Sequence, residues 1–338
     1  LGSKTTDAAE AMPDEGRNVK GENPSRFAFF PALIASPVIQ AAIADEASRR
    51  GISTDAARQQ AQRFLQEIAA RYSPATMRFA ARCFAWLWPH LYDAIEVYHF
   101  ERVTRLAPEA RIVHIPAHRS HLDYLLLSSL LYEKGQTVPL VAAGINLNLP
   151  LVGALLRRCG AFFMRRSFKG EALYSAVFSE YLHLLQQRGT VLEYFIEGGR
   201  SRTGYTLTPK TGLLGMSLAS FLRDPTRPLY FVPIYIGYEK LFEGETYLRE
   251  LSGKAKEKES LWGLLQTLRR VRRIYGRVQV SFGEPLDLAA FLERQRPDWQ
   301  DAAPETLAAS ARELAQPLAK ALVTRINDAA VIGPVNLI

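Results

Sequence analysis

The chain has 338 residues, 48% of them hydrophobic, with 42 Lys and Arg against 34 Asp and Glu for a net charge of +8. That is ample for a packed core and for more than one domain of the usual ~100–200 residues, and the positive balance favours anionic partners: phosphates, acidic proteins, nucleic acid or anionic lipid. Two cysteines, Cys83 and Cys159, stand far apart in no metal-binding spacing, which argues against a disulfide framework and fits a reducing compartment.

No secretory signal is legible at Leu1-Gly2-Ser3, and no apolar run reaches the ~18–20 residues of a membrane span. Peripheral attachment needs only an amphipathic surface and stays open. Residues 1–25 are polar and poor in large apolar groups, and read as a flexible tail. Residues 26–104 read as a helical N-terminal region. Phe64, Leu65 and Ile68 recur at helical spacing on a segment that starts at Ser53 or Thr54. From Met77 to Phe100 the chain is rich in aromatics (Phe79, Phe84, Trp86, Trp88, Tyr92, Tyr98), with Arg78 and Arg82 among them, and Pro89 should kink or split it. Two readings stand side by side: a helix pair packed on the next domain, or a surface that dips Trp and Phe into lipid.

From about Arg105 the texture changes, and residues 105–338 read as one α/β domain ending in helices. Candidate strands are Ile112–Ala117, Val138–Ala143, Ala161–Arg165, Val191–Ile196, Tyr230–Ile236 and Val278–Phe282. Helical stretches lie near Leu122–Tyr132, Glu171–Gln187, Leu213–Leu222 and Leu261–Arg273, and two more near Leu288–Gln295 and Pro304–Asn327. Strand–helix alternation predicts a largely parallel sheet covered by helices on both faces.

The string Ile115-Pro116-Ala117-His118-Arg119-Ser120-His121-Leu122-Asp123-Tyr124 follows a strand and opens a helix. Sites in open α/β sheets sit at the carboxyl ends of strands. A histidine there can take a proton from an alcohol, and Asp123 on the first helical turn can reach back to fix its tautomer. The substrate hydroxyl then attacks directly, with no protein nucleophile. The plainer reading of Asp123 is a favourable charge at a helix N-terminus, and His114 reads as structural. No third group of Cys, His or acidic residues supports a metal.

Gly160-Ala161-Phe162-Phe163-Met164-Arg165-Arg166 ends a strand in two arginines, with Lys169 after it. Glu193-Tyr194-Phe195-Ile196-Glu197-Gly198-Gly199-Arg200-Ser201-Arg202-Thr203-Gly204 ends another, and Lys210-Thr211-Gly212 opens a helix. Paired glycines admit a ligand close to the backbone, guanidinium forks match phosphate oxygens, and a helix N-terminus adds N–H donors. Arginines and glycines at strand ends are also ordinary solvated turns. Glu197 reads either as a substrate contact or as a holder of its arginine neighbours, with the second favoured. The run Arg249 to Arg277 is basic but interleaved with Glu257 and Glu259. It reads equally as a docking site for acidic carrier protein, coenzyme A phosphates or anionic lipid, and as a solvated helix face.

In order, His-x4-Asp, the Gly-Ala-Phe-Phe-x-Arg-Arg strand, Phe-x-Glu-Gly-Gly-Arg-Ser-Arg-Thr-Gly and Val232-Pro233-Ile234 resemble the four blocks of the glycerolipid acyltransferases. The strings His118–Tyr124, Ala143–Asn148, Lys210–Gly212 and Ile234–Glu239 resemble the bacterial membrane-bound glycerol-3-phosphate branch in particular, and the match covers about Ile112 to Glu284. The resemblance implies acyl transfer from acyl-CoA or acyl-acyl carrier protein to glycerol 3-phosphate at the cytoplasmic face of the bacterial inner membrane. It implies contact with anionic lipids, no nucleic acid, no cofactor and no metal. It assigns catalysis to His118 and Asp123, and substrate binding to Arg166, Glu197, Gly198, Arg200 and Ser201. Arg119, Lys169, Gly199, Arg202 and Lys210 join that group by position, and Pro233 marks the fourth block. Family members are much longer, so the chain is expected to be a piece of one. Other acceptors, lysophosphatidate or dihydroxyacetone phosphate, a non-catalytic phosphate-binding module, and a metal hydrolase with His118, His121 and Asp123 as ligands are the alternatives.

Overall fold

A computed structural model describes residues 29–201, 205–241 and 275–331. The tail 1–25, Arg202, the expected helix Leu261–Arg273 and nearly all of the basic run Arg249 to Arg277 lie outside the described residues.

The chain begins with helices α1 (Phe30–Ile34), α2 (Pro37–Arg50), α3 (Thr54–Ile68) and α4 (Pro74–Leu91). Serines start the last three. The hydroxyls of Ser36, Ser53 and Ser73 accept from the N–H groups of Ile39, Ala56 and Thr76 at 3.2–3.3 Å, and Pro37 and Pro74 follow two of them as first-turn residues. Pro89 does not split the aromatic run. It sits in the last turn of α4, where few N–H bonds remain to be lost, and the helix ends two residues later. The rest of that run is not helical. Ala94–Tyr98 forms strand β1, which pairs parallel with β7 (Arg277–Phe282). The expected helical region thus contributes a strand to the sheet, drawn into it by alternating Ile95 and Val97 that pack with the core.

After α5 (Glu101–Thr104) come β2 (Arg111–Pro116), α6 (Asp123–Glu133), β3 (Leu140–Gly144), a short 3₁₀ turn at Ile145–Leu147, α7 (Val152–Arg158), β4 (Ala161–Met164), α8 (Ala172–Gln187) and β5 (Leu192–Glu193). They are followed by α9 (Gly212–Arg223), β6 (Leu229–Tyr238), β7, β8 (Leu286–Asp287), α10 (Leu288–Gln295) and α11 (Pro304–Asp328). The sheet order is β1-β7-β6-β2-β5-β3-β4, with β8 on β6. The ladder from β6 through β2, β5 and β3 to β4 is parallel, while β7 and β8 run antiparallel to β6. This is the largely parallel, helix-covered α/β sheet that strand–helix alternation predicts. Strand β5 is shorter than expected. After Glu193 the chain leaves the ladder, because Glu197 bridges to Pro209 and Lys210 N–H donates to the Ile196 carbonyl at 2.6 Å.

Alternation along the strands splits the core in two. Val113, Ile115, Leu192, Tyr194 and Phe231 pack under α8, α9 and α11. Ile112, Val232, Ile234 and Ile236 pack under α4 and α6. His114 therefore faces the α6 side, where it is buried and its Nδ1 has no hydrogen-bond partner. Burial drives its imidazole down to about 4, so the folded chain holds it neutral. The folded pKa lies below the unfolded value of 6.5, so its contribution is fully present above pH 6.5 and is lost as pH falls toward 4. Across that window the loss is roughly 3 kcal/mol. Unfolding temperatures of the parent and of His114→Gln, followed from neutral to acid pH, should show a shallower fall in the variant. Parallel curves would clear His114 of that role.

Candidate active site

The functional side chains gather at the carboxyl edge of the parallel strands. Ala117 N–H still bonds to the Ile234 carbonyl at 2.8 Å, so β2 delivers His118 to the rim. There the histidine main chain is gripped on both sides. Its N–H donates to Glu197 Oε1 at 2.8 Å, and its carbonyl accepts from Ser201 N–H at 2.8 Å. The ring stacks on Phe195 with centroids 4.0 Å apart, and keeps 17% of its side-chain surface open.

His118 Nδ1 lies 3.0 Å from Asp123 Oδ2. Asp123 is the first residue of α6 and is wholly buried. The same Oδ2 accepts from the N–H groups of Arg119 at 2.7 Å and Ser120 at 2.9 Å, while Oδ1 accepts from the Tyr238 hydroxyl at 2.8 Å. A carboxylate so fully donated to stays an acceptor toward the ring. Nδ1 thus carries the hydrogen and Nε2 keeps the basic lone pair. The pair can lift a proton from an alcohol and hold the imidazolium that results. Tyr238 escaped the sequence reading of the site. Its signal was positional: it ends β6, the parallel neighbour of β2, at the same edge as His118.

Glu197 is buried, and both its oxygens serve the protein. Oε1 takes the His118 N–H, and Oε2 takes Leu207 N–H at 2.8 Å and lies 3.7 Å from the buried Arg119 guanidinium. Arg119 also donates to the Tyr205 carbonyl at 3.2 Å. These two residues join the His118 loop to the glycine-rich loop. Gly198 and Gly199 are exposed beside them. A Cβ on Gly198 would stand 2.8 Å from Lys210 Cε, so the glycine lets the stem of the exposed lysine cross the loop. Arg200 is half-buried next to Ser201, whose side chain is buried.

Of the two arginines after β4, Arg165 is committed to structure. It bonds to Glu67 at 2.8 Å through two nitrogens and to Glu171, and lies over the rings of Phe64 and Tyr174. Arg166 and Lys169 are exposed at the rim. Strand β4 lies three strand spacings from β2, about 14 Å, so the structure does not bring them against His118. Pro233 is buried within β6, opposite Ile115 of β2, and its carbonyl accepts from Gly283 N–H at 2.8 Å. It supports the sheet beneath the site. Among the described residues no cluster of three His, Cys, Asp or Glu side chains could hold a metal.

Residues 94–237 match the family profile described as Acyltransferase, and residues 247–338 match the glycerol-3-phosphate acyltransferase C-terminal region. Proteins named glycerol-3-phosphate acyltransferase are similar over 308 residues, 90% of this chain. They include those of Pseudomonas fluorescens at 48% identity, Pseudomonas aeruginosa at 50% and Ectopseudomonas mendocina at 49%. By both profiles and these relatives, the chain resembles glycerol-3-phosphate acyltransferases over most of its length. It spans 37% of the length of the curated relatives it matches.

The hydrogen bonds of this site rank its parts. Asp123→Asn keeps the shape, and its carbonyl oxygen can still sit under the Arg119 and Ser120 N–H groups, but it removes the negative charge that steadies the imidazolium, so turnover should fall by about 10²–10⁴-fold. Tyr238→Phe removes one donor and leaves the tautomer intact, for a loss of about tenfold. Steady-state kinetics of the two variants test the ranking, and equal losses would contradict it.

Proposed function

We propose that the chain transfers a fatty acyl group from a thioester carrier, acyl-CoA or acyl-acyl carrier protein, to the primary hydroxyl of glycerol 3-phosphate, giving lysophosphatidate. The observation that carries this reading is the His118–Asp123 dyad, with Nε2 left basic, beside the cations of the glycine-rich loop. Lys210 and Arg200 receive the phosphate next to His118, and Arg166 and Lys169 extend the positive rim. Nε2 takes the hydroxyl proton as the oxygen attacks the thioester carbon. The C–S bond then breaks, and the imidazolium returns the proton to the departing thiolate. A positioned base of this kind is worth about 10²–10⁴ in rate, and a pinned phosphate lowers the cost of orientation. The acyl group arrives activated, so the chemistry asks for no cofactor.

The same reading sets the protein peripherally on the cytoplasmic face of a bacterial inner membrane, against anionic lipid. No helix among the described residues is long and apolar enough to cross a membrane. Two segments free of Asp and Glu, 68–92 and 134–170, supply α4 and α7, which pack together. From them Phe79, Trp86, Leu151 and Leu155 stand 65%, 65%, 87% and 51% exposed, beside exposed Arg78, Arg82 and Arg158. Exposed rings among cations, with no acidic neighbours in sequence, suit an anionic bilayer surface.

Free thiol released from palmitoyl-CoA, with and without glycerol 3-phosphate, tests the reaction. Acceptor-dependent release should vanish in His118→Ala, while Arg200→Ala should chiefly raise KM for glycerol 3-phosphate. Release that follows lysophosphatidate or dihydroxyacetone phosphate instead would reassign the acceptor, and polyanion binding without thiol release would favour a binding module. For the membrane face, Phe79→Ser with Trp86→Ser should weaken co-sedimentation with phosphatidylglycerol vesicles by about tenfold or more. Unaltered binding would move the contact elsewhere.

A further inference from the structure

The dyad leaves one nearby carboxyl group without a task. Glu193 ends strand β5 and is fully buried. Its neighbours Leu192 and Tyr194 point under α8 and α9, so alternation turns Glu193 to the opposite face, the one covered by α6. Neither of its carboxyl oxygens has a hydrogen-bond partner. In register beside it on β2 stands His114, buried with Nδ1 also unpartnered. On the other side β3 offers the apolar Val141. The titratable groups that face Glu193 are His114 from β2 and Asp123 from α6, with His118 and Tyr238 one hydrogen bond beyond Asp123.

Two carboxyl groups thus share one face of the sheet and are treated oppositely. Asp123 receives four donors. Glu193 receives none, and an ionised carboxylate left bare in a protein interior is strongly disfavoured. Burial holds the Glu193 carboxyl well above the ordinary carboxylate range, and the neighbouring Asp123 charge pushes the same way. His114 is held neutral by burial, so it offers Glu193 no compensating charge.

We propose that Glu193 is a positioning residue that works as a neutral carboxylic acid, keeping the Asp123 carboxylate the single negative charge behind His118. The proposal rests on the acyl-transfer reading of the site. One charge lets the imidazolium form and still release its proton to the thiolate. Loss of the Glu193 proton to solvent places a second anion behind the first. The imidazolium is then held too tightly to give up its proton, and Asp123 is repelled from its donors.

Glu193→Gln keeps the shape and fixes neutrality. Its acceptor-dependent thiol release should stay within about fivefold of the parent at neutral pH. It should also persist on the alkaline side, where the parent falls by about tenfold or more. A larger loss at neutral pH, or alkaline limbs that superimpose, overturns the proposal. A second measurement needs no substrate. The infrared carbonyl stretch of a protonated carboxyl should be present in the resting parent, absent from Glu193→Gln, and lost on alkaline titration in step with activity. A parent chain without that band overturns the proposal even where acyl transfer is confirmed. A band in a chain that releases no thiol with any acceptor refutes the acyl-transfer reading, and the positioning role of Glu193 with it.

Discussion

Everything at this site depends on how the Asp123 carboxylate is held. It is buried at the start of α6, and a buried charge survives only where donors replace the water it has lost. Two of those donors are main-chain N–H groups of its own loop, a third is the Tyr238 hydroxyl at the end of β6, and the fourth is the His118 ring. The carboxylate therefore does more than orient an imidazole. It folds the Arg119–Ser120 turn around itself, ties that turn to the neighbouring strand, and fixes which ring nitrogen carries hydrogen. Geometry and charge state are set by the same four bonds, so neither changes without the other.

Glu197 performs the matching task from the other side. Its oxygens bind the His118 and Leu207 N–H groups and lie by Arg119, so the glycine-rich loop and the histidine loop share one buried anion. The Ser201 N–H to His118 carbonyl bond completes the grip. The main chain of His118 is thereby locked on both sides while its ring rests on Phe195. Preorganisation of this kind matters because a small displacement of a catalytic base costs far more in rate than it costs in stability.

Much of this was legible in the sequence, and what escaped did so for physical reasons. Strands β2, β4, β6 and β7 carry apolar, β-branched or aromatic runs bounded by turn signals, and they form where expected. Strand β1 was hidden because its five residues continue an aromatic run that begins as a helix, and nothing local marks the change. Strand β5 was overread because Val191–Ile196 looks like a buried strand throughout, yet the Glu197 bridge to Pro209 pulls its second half away. His118 and Asp123 were readable as a strand-end pattern strengthened by family resemblance. Which cations face outward was not readable. Arg165 and Arg166 are identical in type and adjacent, and only the positions of Glu67 and Glu171 in the fold decide that the first is consumed. Tyr238 lies 115 residues from Asp123, and a hydrogen bond across that separation leaves no local pattern.

The distribution of charge explains how one edge of the sheet keeps cations and carboxylates from neutralising one another. Among the described residues, the carboxyl groups that gather around the dyad are buried: Asp123 under four donors, Glu197 between two loops, and Glu193 within the sheet. Lys210, Arg166 and Lys169 are exposed, the last two farther along the same edge of the sheet. If the carboxylates were exposed as well, they would pair with those cations and compete with a phosphate for the same forks. Burying each anion against main-chain N–H groups, or keeping it neutral, removes that competition while the dyad retains its own negative charge. The separation also has a direction. Under the proposed reading, a phosphate drawn to the rim would bring a tethered hydroxyl toward Nε2, while the Asp123 charge is taken up by its donors. The two sets of charge stay distinct because the cations are exposed and the carboxylates buried.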